Sequence, residues 1–143
     1  MSKIITIACD HAGYELKNAL KKEILNMGFE VIDCGTNSRE SVDYPDFAKL
    51  AVDNILKKKS DIAVLICGSG IGMSITANRF NGIRAALCRN ADDAKLARQH
   101  NNANILALAG RQIDVDEAKN CFKIFINTPF DGGRHQKRVE KID

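Results

Sequence analysis

The feature that most constrains the fold is the segment 62–72, IAVLICGSGIG, in which a run of branched aliphatic residues stops at a cysteine and a glycine-rich stretch follows. A strand that is apolar on both faces is typical of a parallel sheet covered by helices on both sides. Four other short apolar runs lie at 4–8, 30–33, 83–87 and 104–108. Longer stretches separate them, so the pattern predicts alternating strands and helices along the whole chain.

Apolar residues three and four positions apart mark the intervening helices. One stripe runs from Leu16 to Met27 and meets Gly28, a typical C-cap; a second has Pro45 near its first turn; a third surrounds Phe122. The polar segment 131–143 is predicted to form a short terminal helix. We therefore expect residues 1–143 to form one α/β domain. Its core would be a doubly wound, Rossmann-like, five-stranded parallel sheet in the flavodoxin-like order 2-1-3-4-5, with helices on both faces and a C-terminal helix.

Composition narrows the classes of partner. A formal charge of +3 over 143 residues gives no basis for nucleic-acid binding. The sequence has no apolar run of membrane-spanning length, and its first residues have no signal-peptide layout, so we expect a cytoplasmic protein without membrane association. The five cysteines have neither a Cys-x-x-Cys pair nor zinc-ligand spacing, which argues against a disulfide framework and against a structural metal.

Two polar loops are predicted to meet at one edge of this sheet. In a doubly wound sheet, ligands bind beyond the carboxyl ends of the strands where the strand order reverses, here strands 1 and 3. Strand 1 runs into Cys9-Asp10-His11, and strand 3 runs into Cys67-Gly68-Ser69. The sequence therefore predicts a polar crevice between these two loops.

The glycine loop differs from a dinucleotide fingerprint. Gly68, Gly70 and Gly72 follow the third strand, and Met73 stands where the last glycine of the fingerprint belongs. No acid follows the next strand to bind a ribose, and the loop has no Walker lysine, so a nicotinamide cofactor is not expected. Unhindered backbone N–H groups ahead of a helix suit an anion, either a phosphate or an enolate oxygen. The alternative is a tight turn that serves close packing.

Several side chains could carry chemistry, and each has a structural alternative. Cys67 is either a packed thiol or a nucleophile or base favoured by the adjacent helix N-terminus. His11 and His100 could move protons near neutral pH, or could serve as capping groups. Arg134 and Arg138 share a helix face and, with Arg111, could clamp a dianion; a solvated basic tail is the alternative.

Five motifs together resemble a known family: CDHAG at 9–13, DYPDFA at 43–48, ICGSGIGMSI at 66–75, RQHNNANIL at 98–106 and DGGRHQKRV at 131–139. They are similar to the type B ribose-5-phosphate isomerases, to which the lactose-pathway galactose-6-phosphate isomerase subunits are related. The resemblance covers nearly the whole chain. It implies a sugar-phosphate substrate, no cofactor, no metal, and a homodimer or dimer of dimers whose active site lies at the subunit interface.

The resemblance also implies residue roles. Cys67 would take the proton from C2 of the open-chain sugar, and His100 would help to open the ring. The other implied residues contact the sugar, stabilise the enediolate, line the pocket or bind the phosphate: Asp10, His11, Tyr44, Gly68, Ser69, Gly70, Ile71, Gly72, Asn101, Arg111, Arg134 and Arg138. Asp10 and Ser69 would also assist the catalytic step.

Comparison within the family supports a self-sufficient enzyme. Some members place a glutamate base where this chain has Met73, which cannot take a proton, so the role would pass to Cys67. Ser69 keeps the hydroxyl of the threonine that many members have. The galactose-6-phosphate subunits tend to lose either the cysteine or the histidine of the RQHN segment, and this chain keeps both.

Three other functions stay open on sequence. The first is isomerisation of a six-carbon phosphate such as allose 6-phosphate or galactose 6-phosphate. The second is a non-catalytic sensor that binds a sugar phosphate in the same crevice. The third is a redox role for Cys67. The sequence has no resolving cysteine near Cys67, which argues against this role.

Overall fold

The computed structural model describes residues 3–143. In chain order its elements are β1 (Ile4–Cys9), a 3-10 turn (His11–Gly13), α1 (Tyr14–Asn26), β2 (Glu30–Asp33), α2 (Tyr44–Leu56), β3 (Ile62–Cys67), α3 (Ile71–Ala77), β4 (Ala85–Leu87), α4 (Ala91–Asn101), β5 (Ile105–Ala109), α5 (Val115–Asn127) and α6 (Arg134–Glu140). Among the helices of this part of the chain, none has the length and apolar character needed to cross a bilayer.

All strand pairs are parallel, and the sheet has the order β2-β1-β3-β5-β4. Helices α1, α4 and α5 pack on one face, and α2 and α3 pack on the other. The expected α/β class, the five-stranded parallel sheet with helices on both faces and the C-terminal helix are confirmed.

The expected order 2-1-3-4-5 was wrong at one edge, because β5 lies between β3 and β4. All five residues of β5 are buried, whereas β4 has three residues and each is half-buried. A fully apolar strand is stable only with neighbours and helices on both sides, and a short strand suits the edge. The reversal between β1 and β3, which places the site, is unaffected.

The two faces of β3 explain its unbroken apolar run. Ile62, Val64 and Ile66 belong to the apolar cluster beneath α1, α4 and α5. Leu65 and Cys67 belong to the cluster beneath α2 and α3. The thiol therefore lies on the side of the sheet from which the glycine loop and α3 rise.

A buried lysine fixes the loop beside the end of β1. Lys17 is 1% exposed, and its Nζ donates to Asp33 Oδ1 at 2.9 Å and to the Thr36 carbonyl at 2.6 Å. Burial alone would raise the pKa of Asp33, but hydrogen bonds from Lys17, the Gly35 N–H and Lys21 outweigh it and lower that pKa. The Thr36 N–H in turn donates to the Cys9 carbonyl at 2.8 Å. The strand end that carries Asp10 is thus anchored by a charged network.

Candidate active site

A cleft of about 550 Å³ lies beyond the carboxyl ends of β1 and β3. We call it the switch-point cleft. It brings together most of the residues that the sequence predicted: Asp10, Tyr44, Cys67, Gly68, Ser69, Ile71, Gly72 and Arg111. Two further residues, Ile75 and Gln112, also line it. Sequence reasoning missed both, although Ile75 follows Ile71 by one helical turn and Gln112 directly follows Arg111.

Cys67 is the thiol of this cleft. It is 4% exposed, and its carbonyl accepts a hydrogen bond from Gly110 N at 2.8 Å, while the Gly68 carbonyl accepts one from Arg111 N at 3.1 Å. These two bonds join the ends of β3 and β5. They hold the backbone of Arg111 beside the glycine loop.

Burial disfavours the thiolate form of Cys9, Cys34, Cys88 and Cys121. All five cysteines are free. Burial raises the pKa of Cys9 and of Cys121 to about 11 and that of Cys88 to about 12, and it also raises the pKa of Cys34. None of these four lines the switch-point cleft. Cys9, Cys88 and Cys121 are buried, and Cys34 is half-buried.

The glycines of the loop serve close packing as well as exposure of the backbone. Gly70 has φ +75°, and a Cβ there would lie 2.5 Å from Leu87 Cδ1 and 3.0 Å from the Leu108 carbonyl carbon. It is buried beneath the loop and does not line the cleft. A Cβ on Gly72 would collide with the ring of Tyr44. Both glycines are therefore needed where α3 leaves the sheet.

One donor of the loop is already used within the chain. Ser69 Oγ accepts a hydrogen bond from Ile71 N at 3.2 Å. The hydroxyl thus caps the first turn of α3 while its residue lines the cleft.

Asp10 and His11 are both held by backbone N–H groups. Asp10 is 6% exposed, and its Oδ1 accepts hydrogen bonds from Ala12 N at 3.0 Å and Gly13 N at 3.2 Å, which caps the 3-10 turn. His11 Nδ1 accepts from Val42 N at 3.2 Å, so the neutral ring carries its hydrogen on Nε2. His11 does not line the switch-point cleft.

The remaining predicted residues gather elsewhere. His100, Asn101 and Arg138 line a separate pocket of about 380 Å³ between the end of α4 and α6, together with His135, Val139 and Ile142. We call it the α4–α6 pocket. No residue lines both this pocket and the switch-point cleft. Arg134 is exposed at the start of α6 and lines neither of the two.

One backbone hydrogen bond and one from a side chain hold the segment before α6 against α4. Asp131 N donates to the Gln99 carbonyl at 3.0 Å, and the buried Arg98 donates from Nε to the Thr128 carbonyl at 3.1 Å. The polar tail is thereby fixed next to His100. His100 and Arg138, which are far apart in sequence, thereby line one pocket.

His135 also lines the α4–α6 pocket and was not predicted from the sequence. Its ring stacks on that of His100, with centroids 4.3 Å apart and planes 12° from parallel. Desolvation, then His100, Arg134 and Arg138, lower the pKa of His135, with Asp131 acting in the opposite direction. The signal in the sequence was its position between the two arginines of DGGRHQKRV.

The predicted residues thus form two groups on one chain. Cys67 and the glycine loop line the switch-point cleft, and His100 and Arg138 line the α4–α6 pocket. Residues 5–142 match the family described as Ribose/Galactose Isomerase. The chain belongs to this family.

Individual members of the Ribose/Galactose Isomerase family are similar over almost their full lengths. Ribose-5-phosphate isomerase B of Escherichia coli is 42% identical over 140 residues, which cover 98% of this chain and 94% of that protein. The crystal structure of a ribose 5-phosphate isomerase from Thermotoga maritima is 56% identical, with a TM-score of 0.97 over 98% of this chain and 97% of that one. A Mycoplasma genitalium ribose-5-phosphate isomerase B with bound ribulose-5-phosphate is 41% identical, with a TM-score of 0.94 over 97% and 93%.

Proposed function

We propose that this protein interconverts D-ribose 5-phosphate and D-ribulose 5-phosphate through an enediolate, without a metal or cofactor. The observation that carries the proposal is the placement of Cys67 in a cleft beside a glycine loop, in a chain of this family. The ribulose-5-phosphate bound to the relative from Mycoplasma genitalium supports the five-carbon substrate.

In the proposed reaction Cys67, as a thiolate, removes the proton from C2 of the open-chain aldose. The electron pair moves into the C1–C2 bond, and negative charge develops on the oxygens of the resulting enediolate. Fixed N–H groups of the segment 68–72 other than that of Ile71, which donates to Ser69, would stabilise that charge without needing to reorient. Return of the proton to C1, with transfer of a hydroxyl proton from O2 to O1, gives the ketose.

Ring opening and phosphate binding would fall to the α4–α6 pocket and to Arg134, which precedes His135 in the chain. His100 would exchange the proton of the cyclic hemiacetal, and Arg134 and Arg138 would bind the phosphate. Asn101 would bind the sugar from the same side. Binding of the remote phosphate orients the reacting carbons against the thiol. Arg111, in the switch-point cleft, would supply a further cation.

The two sets of residues lie in different pockets, so we propose that the site is completed between two copies of the chain. The switch-point cleft of one copy would face the α4–α6 pocket of the other, in a homodimer or a dimer of dimers. Side chains at the cleft support this, because Ile71 and Ile75 are 50% and 56% exposed and Tyr44 is 40% exposed. A partner subunit would remove this apolar area from water.

The first experiment is turnover of D-ribose 5-phosphate with a chelator present, for the wild type and for Cys67→Ala. General-base catalysis contributes about 10²- to 10⁴-fold, so we expect a loss of that size in kcat with binding of substrate retained. Cys34→Ala is the matched control, because Cys34 lies outside the cleft. Wild-type turnover by Cys67→Ala would exclude the thiol as the base.

A substrate panel separates the other functions. Faster turnover of allose 6-phosphate or galactose 6-phosphate than of ribose 5-phosphate would replace the substrate assignment. Binding of ribose 5-phosphate without turnover of any sugar phosphate would indicate the sensor.

The role of His100 is tested with His100→Asn. Ribose 5-phosphate forms a ring, whereas ribulose 5-phosphate cannot, since its C5 oxygen carries the phosphate. We expect kcat/KM to fall more for ribose 5-phosphate than for an aldose phosphate that cannot form a ring. Equal losses on cyclic and acyclic substrates would contradict a ring-opening role.

A further inference from the structure

The α4–α6 pocket contains a cluster of metal-ligating side chains. His100, Asp131 and His135 offer ligand atoms that all lie within 4.8 Å of one another. Among the histidine, cysteine and acidic side chains of residues 3–143, these three form the group that is spaced closely enough to hold a metal ion. It shares only His100 with the residues assigned to the reaction above.

The backbone brings the three ligands together. Asp131 N donates to the carbonyl of Gln99, the residue before His100, at 3.0 Å. His135 N donates to the Gly132 carbonyl at 2.9 Å, which closes the turn between Asp131 and His135. These backbone hydrogen bonds place Asp131 and His135 near the end of α4 without a bound ion.

We propose that His100, Asp131 and His135 bind one divalent transition-metal ion of the Zn²⁺ type, and that this ion inhibits the enzyme by occupying His100. Two imidazoles and one carboxylate are a ligand set that Zn²⁺ accepts in proteins, with water in the remaining position. The inhibition, but not the binding, rests on the proposed function.

The two imidazole rings must rotate before they can share one ion. The two rings are stacked with planes 12° apart, so they must turn out of the stack before both nitrogen lone pairs can point at one ion. Each ring is half-buried and needs only side-chain rotation.

The surrounding charges limit the affinity. Arg134 and Arg138 both act electrostatically on His135, and they repel a cation in the same place. The carboxylate of Asp131 opposes the effect of the two arginines. We therefore expect binding that is weaker than at a closed structural site and reversible by chelation.

The binding test is calorimetric titration of metal-stripped protein with ZnCl2 at pH 7 in a non-coordinating buffer. We expect one ion per chain, and a loss of at least tenfold in affinity for His135→Ala and for Asp131→Asn. Asp92→Asn is the matched control, since it removes an exposed acid from the other end of α4 and is expected to bind like the wild type. Absence of binding, or equal binding by His135→Ala, would overturn the proposal.

X-ray absorption at the zinc edge identifies the ligands independently. We expect nitrogen and oxygen neighbours at about 2.0–2.1 Å with two imidazoles, and a sulfur neighbour at about 2.3 Å would place the ion on a cysteine instead and refute the cluster. Zn²⁺ should also inhibit isomerisation until a chelator is added. Zinc binding without inhibition would reject the second half of the proposal, and a protein that binds zinc but isomerises no sugar would reject only the proposed function.

Discussion

Substitution of Gly70 by alanine tests whether the glycine loop is held by its packing against β4 and β5. Gly70 has φ +75°, and an added Cβ would lie 2.5 Å from Leu87 Cδ1, 3.0 Å from the Leu108 carbonyl carbon and 3.1 Å from its oxygen. The Leu87 methyl can move, because it ends a side chain. The backbone of Leu108 cannot, because it is paired within a buried strand.

The expected cost has two parts. An L-residue in the left-handed region costs about 1–2 kcal/mol. Forcing a methyl group into a packed interior costs about a further 1–3 kcal/mol. Gly70→Ala should therefore lower the free energy of unfolding by about 2–5 kcal/mol, a large part of the 5–15 kcal/mol or so that is typical of a domain.

Gly28→Ala separates the two contributions. Gly28 also has positive φ, +93°, but a Cβ there would have nothing within 4 Å. This variant should lose only about 1–2 kcal/mol. Urea unfolding monitored by circular dichroism gives the free energy of unfolding of both variants. Turnover should fall only for Gly70→Ala, because only that change displaces the loop beside Cys67. Losses that agree within about 0.5 kcal/mol would refute the packing argument.

Two further predictions concern the buried charge network. Lys17→Met removes the ammonium that donates to Asp33 and Thr36, and it leaves Asp33 with its second partner, Lys21, at 3.1 Å. We expect urea unfolding to show that the free energy of unfolding falls by about 3 kcal/mol. An unchanged free energy would show that the Lys17–Asp33 pair is dispensable. The lowered pKa of Asp33 means that its contribution to stability is present above the unfolded-state pKa, about 4, and is lost as the pH falls through the folded-state pKa. Asp33→Asn should therefore destabilise the protein at pH 7 by more than at pH 3, and an equal destabilisation at both values would contradict this.

The burial of Lys17 illustrates what the sequence does not reveal. Its position in α1 places it next to Leu16 and between apolar residues of the helical stripe, yet lysine is almost never fully buried without a partner. The partners are a carboxylate on β2 and a carbonyl of the following loop. Neither contact follows from the local pattern of α1, because both depend on how β2 pairs with β1.

The sequence by itself determined the alternation of strands and helices and identified the two loops that form the cleft. Apolar periodicity reports which faces of each segment are buried, and this is a local property, so the strands and helices were predictable. The switch point between β1 and β3 followed from the usual strand order of doubly wound sheets. The motifs CDHAG and ICGSGIGMSI marked the two loops that form the cleft.

Only the tertiary structure decided the order of the last two strands, the stacking of His135 on His100, and the separation of His100 from Cys67 into different pockets. Each of these depends on contacts between segments far apart in the chain. Burial patterns state that a face is covered but not by which neighbour, and that choice is made by the packing of the whole sheet and its helices.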